Sequence, residues 1–288
     1  MQQFMLSDNL KMAAIDLDGT LLTDDKQITP LCKNTIQMAM QDGYIISIST
    51  GRAWPGAKKF AKELMVTAPV VTSNGAMIVD PVTEEVLYGL KLNFEDAEEI
   101  YELGCRIGVT QIVWSGCQLY GSRMDRYLED YSKRFGFMEP VVLQSIEDLA
   151  DRGVSKILWY FSEPTSEKYL KQVSVEMQHR LNIVTSTPFF LEFFHKDVSK
   201  AAAVKMVADR YGIEWSEIAA IGDAGNDLPM IQSAGLGIAM GNATHDVKEE
   251  ADAITDDNMH GCSSSHVFHD DALRECLSFG KWQLGCGL

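Results

Sequence analysis

Three short apolar runs, each stopping at residues able to bind an ion, constrain this chain most. Met12 to Ile15 stops at Asp16-Leu17-Asp18-Gly19-Thr20, Tyr44 to Ile48 at Ser49-Thr50-Gly51-Arg52, and Ile218 to Ile221 at Gly222-Asp223-Ala224-Gly225-Asn226-Asp227. Short apolar runs followed by turn residues read as strands of a buried parallel sheet, and Pro69 to Val71, Gly237 to Met240 and Ala253 to Thr255 extend the series. Amphipathic stretches fill the gaps. Thr29-Pro30 caps one helix, with Ile36, Ala39 and Met40 on its inner face and Gly43 as its stop; Met38 and Met40 read as core filling. A second helix opens at Ser199, buries Ala203, Val204, Val207, Ala208 and Tyr211, and stops at Gly212, which sets Lys200 in its first turn. The predicted class is α/β, a parallel sheet with helices on both faces.

The middle has a different texture. Asn93-Phe94-Glu95-Asp96 opens a helix that runs to Gly108, and paired strands follow at Val109 to Trp114 and Gln118 to Gly121. A helix near Met124 to Phe135, a strand at Lys156 to Phe161, a helix at Thr165 to Leu181 and strands near Ile183 and Phe190 complete it. The reading is a second, α+β domain over 88–190 inserted into a core made of 1–87 and 191–288, with hinges at 86–90 and 187–192. A length of 288 residues suits about two domains.

Charge narrows the partners. A formal net charge of −16 repels polyanions, and no basic patch offsets it, so no nucleic-acid partner is expected. No apolar run is long enough to span a bilayer, so no membrane partner is expected either. Cysteines at 32, 105, 117, 262, 276 and 286 form no disulfide framework and no secretory leader is apparent, which favours reduced thiols and a cytoplasmic location. His260, Cys262, His266 and His269 match no zinc-finger spacing and read as an exposed polar tail.

Carboxylates at two strand ends suggest one shared cation, because ligand sites of open α/β sheets lie at those ends. A calcium loop starting at Asp16 is excluded, since the later acidic ligands are missing. Oxygen-only donors with room for water and phosphate suit Mg²⁺ better than zinc. Thr50, Gly51 and Arg52 offer a hydroxyl, main-chain N–H groups and a charge, and Lys200 stands where a helix terminus favours an anion.

The set as a whole resembles the haloacid dehalogenase-like phosphohydrolases, specifically the Cof-like group with a large α/β cap. It rests on Asp16-Leu17-Asp18-Gly19-Thr20-Leu21-Leu22, Thr50-Gly51-Arg52, Ser73-Asn74-Gly75-Ala76, Ser199-Lys200, Gly222-Asp223-Ala224-Gly225-Asn226-Asp227 and Ala239-Met240-Gly241-Asn242-Ala243. Asn258-Met259-His260-Gly261-Cys262 begins like the family's closing motif and then departs from it. The resemblance implies a Rossmann-like core, an inserted cap that selects substrate, and Mg²⁺-dependent hydrolysis of small phosphorylated metabolites, with sugar phosphates the leading class. A phosphosugar mutase and a noncatalytic phosphometabolite-binding module are the alternatives.

In that scheme Asp16 attacks phosphorus to form an aspartyl-phosphate. Asp18 protonates the leaving oxygen and later activates water, which requires a carboxyl pKa above the free value. Thr50, Gly51, Arg52, Lys200 and Asn226 hold the phosphoryl group. Asp16, the Asp18 carbonyl and Asp223 bind Mg²⁺, with Asp227 supporting them.

Overall fold

The structure is a computed structural model that describes residues 9–134 and 139–259. The chain runs β1 (Met12–Ile15), α1 (Pro30–Gln41), β2 (Ile45–Ile48), α2 (Trp54–Leu64), β3 (Val70–Thr72), β4 (Met77–Val79) and β5 (Val86–Gly89). The middle holds α3 (Phe94–Ile107), β6 (Thr110–Ser115), β7 (Gln118–Gly121), α4 (Arg126–Arg134), β8 (Val141–Val142), β9 (Lys156–Tyr160), α5 (Ser166–Leu170), α6 (Val175–Arg180), β10 (Leu181–Thr187) and β11 (Phe190–His195). The last part holds α7 (Lys200–Arg210), β12 (Ile218–Gly222), α8 (Leu228–Ser233), β13 (Leu236–Ala239), α9 (His245–Glu250) and β14 (Ala253–Ile254).

The core sheet has the order β14-β13-β12-β1-β2, all parallel. Its inner strands β1, β12 and β13 are buried on both faces, which explains their uninterrupted apolar sequences. From β1 the chain winds first towards β2 and later returns to β12 on the other side, so β1 lies at the topological switch where such sheets open a crevice. The antiparallel sheet β3-β4-β5 continues this edge through the parallel bridge between Ser49 and Val71.

Local signals set the flanking helices. Thr29 Oγ1 accepts from the Cys32 N–H at 3.2 Å, and Ser199 Oγ accepts from the Ala202 N–H at 3.1 Å, each satisfying a donor of the first turn. α7 buries Ala203, Val204, Val207 and Ala208, whereas Tyr211 lies past the helix end and is 43% exposed. Met38 also faces outward, on the flank of α1 opposite Cys32, Ile36 and Ala39, so it fills no core.

The inserted cap is a six-stranded sheet of order β10-β11-β9-β6-β7-β8. Alternation along β9 sends Ile157 and Trp159 to one face, under α3 and α6, and Leu158 to the other, where Trp114, Leu128, Tyr131 and Phe190 pack with Ala53 of the core. Three expectations change here. β11 pairs with β9 and β10 as far as His195, so the cap sheet runs past residue 190. The presumed hinges at 86–90 and 187–192 fall largely within β5 and the β10–β11 hairpin, and the chain instead crosses between the sheets at 90–93 and 196–199. The predicted helix over Thr165 to Leu181 is two short helices, α5 and α6, with Ser174 Oγ capping the second through the Met177 N–H at 3.1 Å. His260, Cys262, His266 and His269, and the end of the helix predicted to reach Phe135, lie outside the described residues.

Candidate active site

Parallel pairing of β1 with β12 and β2 brings their carboxyl ends to one crevice. Asp16 leaves β1 with its N–H still donating to Ile221 O at 3.0 Å, which fixes the residue at the carboxyl end of that strand. Lys200, at the start of α7, reaches into the same place and is fully buried. Its Nζ donates to Asp16 Oδ1 and to Asp227 Oδ1, both at 2.6 Å. Asp227 is itself oriented, because its Oδ2 accepts from the N–H groups of Asp223 and Ala224 at 3.1 and 3.2 Å. Thr20 Oγ1 donates to Asp223 Oδ1 at 2.9 Å and ties the loop after β1 to the loop after β12.

Asp16, Asp223 and Asp227 each present an oxygen within 4.8 Å of the others. Three carboxylates beside one ammonium leave about two negative charges when all are ionised, and oxygen donors suit a hard divalent cation. Burial pushes the Asp16 carboxyl well above the ordinary range; Lys200 opposes the shift, while Asp227 and Asp223 add to it. Burial, then Asp227, lifts Asp223 to about 6 against the pull of Thr20 and Lys200.

Asp18 stands apart from that cluster. Arg52 grips it with both donors, Nε to Oδ2 at 2.6 Å and Nη2 to Oδ1 at 2.7 Å, and Lys26 Nζ approaches Oδ1 at 2.9 Å. Burial alone would raise this carboxyl, but the hydrogen bonds and charge of Arg52, with Lys26, outweigh it and hold Asp18 at about 2. The expectation of an elevated value is therefore overturned for this arrangement, because Arg52 is spent on Asp18.

Thr50 is buried, and its Oγ1 accepts from the Arg52 N–H at 3.1 Å, shaping the tight loop that also holds Gly51. Asn226 donates from Nδ2 to Asn74 Oδ1 at 2.9 Å. Asn242 donates to Gly19 O at 2.7 Å, and Asn258 donates from its N–H to Asn242 Oδ1 at 3.0 Å and from Nδ2 to Leu22 O at 2.9 Å, so the closing motif clamps the loop after β1. Thr20, Lys26 and Asn74 carry site contacts that the sequence reading did not assign. For Thr20 and Asn74 the available signal was their place inside the recurring motifs; Lys26 has none.

The profile of the haloacid dehalogenase-like hydrolases matches residues 13–262. The chain is 30% identical over 268 residues to YxeH of Bacillus subtilis, provisionally named a phosphatase, covering 91% of this chain and 98% of that one. YitU of the same organism, a 5-amino-6-(5-phospho-D-ribitylamino)uracil phosphatase, is 30% identical over 257 residues, covering 86% and 92%. The crystal structure of a haloacid dehalogenase-like hydrolase from Bacteroides thetaiotaomicron superposes with a TM-score of 0.79 at 26% identity, covering 92% of this chain and 99% of that one. The crevice with its lysine-bridged aspartates thus lies within a shared framework, and the chain belongs to the haloacid dehalogenase-like hydrolase family.

Proposed function

We propose that the chain is a Mg²⁺-dependent phosphatase of small phosphorylated metabolites, sugar phosphates first among them, in which the phosphoryl group passes through Asp16. The observation that carries this reading is the buried lysine shared by Asp16 and Asp227 beside Asp223. Burial favours the protonated acid at Asp16; the Lys200 ammonium opposes it, holds Oδ1 and leaves the other carboxylate oxygen for attack.

Asp16 and Asp223, with the Asp18 main-chain carbonyl, would hold Mg²⁺, which supplies the positive charge that lets a phosphate approach a carboxylate. Asp16 displaces the leaving alcohol from phosphorus; Asp18 gives that oxygen a proton and later removes one from the attacking water. Thr50 Oγ1, the Gly51 N–H, Lys200 and Asn226 hold the phosphoryl oxygens, while Asp227 keeps Lys200 in place. Arg52 exchanges Asp18 for the incoming phosphate, and that exchange frees Asp18 to take up a proton. The cap, over 93–195, selects the alcohol. Sugar phosphates lead because the substrate in the name of YitU carries its phosphate on a ribityl chain.

The test is phosphate release from a panel of sugar, nucleotide and cofactor monophosphates, with and without Mg²⁺. Release from sugar phosphates that stops on chelation supports the proposal; release no faster than that of Asp16→Asn from every compound defeats it.

A further inference from the structure

Ser73, Asn74 and Gly75 take three consecutive left-handed conformations, with φ of 51°, 58° and 99°. Two of these are not glycines, and residues with a side chain seldom adopt this region because Cβ crowds the following carbonyl oxygen. The turn is nevertheless buried and fully tied down: the Ser73 N–H donates to Arg52 O at 2.8 Å, the Asn74 N–H to Thr50 O at 3.0 Å, and the Ala76 N–H to Ser73 O at 3.1 Å. On its far side, a Cβ at Gly75 would lie 2.2 Å from Ser199 O, the residue before Lys200. The strained turn therefore touches the loop of Thr50 and Arg52 and the start of α7 at once.

What the strain achieves is the placement of one amide. Asn74 Oδ1 accepts from Asn226 Nδ2 at 2.9 Å, across from the loop after β2, where a Cβ at Gly51 would come within 2.9 Å of the same oxygen. An amide nitrogen carries two protons. With one directed to Asn74, the orientation of the Asn226 amide is set and its second N–H remains for an anion. Asn is also the non-glycine residue that best tolerates this backbone region.

We infer that Asn74 is a positioning residue for phosphate recognition: its carbonyl oxygen orients the Asn226 amide so that an Asn226 N–H meets a phosphoryl oxygen of the substrate. The inference rests on the proposed phosphatase reading of the site and adds a residue to it. A purely structural turn would need only the left-handed backbone, which glycine supplies without a side chain.

The experiment is calorimetric titration of the folded, full chain with inorganic phosphate in Mg²⁺ buffer, beside steady-state kinetics. Asn74→Gly keeps the backbone conformation and removes the amide, and Asn74→Ala removes the same acceptor if the glycine variant does not fold; Asn74→Asp is isosteric, still accepts from Asn226, and is the control. The expected result is a phosphate Kd raised about tenfold in Asn74→Gly, with KM raised alike and kcat changed less. Asn74→Asp should keep the coupling to Asn226, so that Asn226→Ala weakens it as it weakens the unaltered protein. Combining Asn74→Gly with Asn226→Ala should cost no more than Asn226→Ala alone. An unchanged Kd in Asn74→Gly, or losses that simply add in the double variant, would overturn the amide pair while leaving the phosphatase reading intact. An unaltered protein that binds no phosphate and releases none would overturn both.

Discussion

Arg52 holds both carboxylate oxygens of Asp18 in a two-pronged hydrogen bond, at 2.6 and 2.7 Å, and so keeps ionised the residue that must carry a proton in the proposed reaction. Removing that grip should be visible in titration. In Arg52→Gln the Asp18 carboxyl, at about 2 in the intact pair, should rise towards or above its ordinary 3.8, since burial then acts with less opposition. A depressed carboxyl stabilises the fold above its unfolded value and loses that contribution as pH falls through its folded value. The intact protein should therefore lose stability between about pH 4 and pH 2 through this group, and the variant should not. Because Asp18 is more than a third exposed, solvent screening leaves about 1 kcal/mol at stake. Carbon-13 titration of the aspartate carboxyls, with urea midpoints at each pH, checks both statements.

Lys200 is the single cation between Asp16 and Asp227 among the contacts described, and all three are buried. Lys200→Met should cost about 3 to 5 kcal/mol, because two desolvated carboxylates lose their partner. Adding Asp227→Asn should recover part of that stability and none of the turnover, since the charge facing Asp16 is still missing. Denaturant unfolding and phosphate release, measured on the same preparations, separate the two effects.

A second buried ion pair belongs to the cap. Lys156 Nζ lies 2.7 Å from Glu192 Oε2, and both side chains are nearly inaccessible, on the sheet face where Trp114 Nε1 donates to the Tyr131 hydroxyl at 3.2 Å. Lys156→Met alone should destabilise by about 3 to 5 kcal/mol, whereas Lys156→Met with Glu192→Leu should return to the original stability or exceed it. Urea midpoints of the single and double variants test this.

The contrast between these sites explains what the sequence could disclose. Asp16 and Asp223 were legible because each directly follows a run of residues buried on both faces, and in a parallel sheet such ends converge whatever the intervening chain does. Lys200 was legible through the Ser199 cap that starts its helix. The grip of Arg52 on Asp18 spans 34 positions and that of Lys156 on Glu192 spans 36, and neither leaves a periodic trace. A strand near Phe190 is readable from its residues, but which sheet it joins depends on partners elsewhere, and pairing with β9 and β10 carries the middle sheet on to His195. Asn74-Gly75 is a local turn signal, but the bonds that hold this turn, from the Ser73 N–H to Arg52 O and from the Asn74 N–H to Thr50 O, join it to a distant part of the chain and leave no trace in the sequence.

The phosphoryl carrier itself can be caught. Turnover of a sugar phosphate in Mg²⁺ buffer is quenched with borohydride, which reduces an acyl phosphate to an alcohol, and the peptides are then read by mass spectrometry. The reduced side chain should appear at Asp16 alone, only when substrate is present, and not in Asp16→Asn. Reduction at Asp18 or Asp223 instead, or an unreduced Asp16 in an enzyme releasing phosphate under the same conditions, would contradict covalent transfer through Asp16.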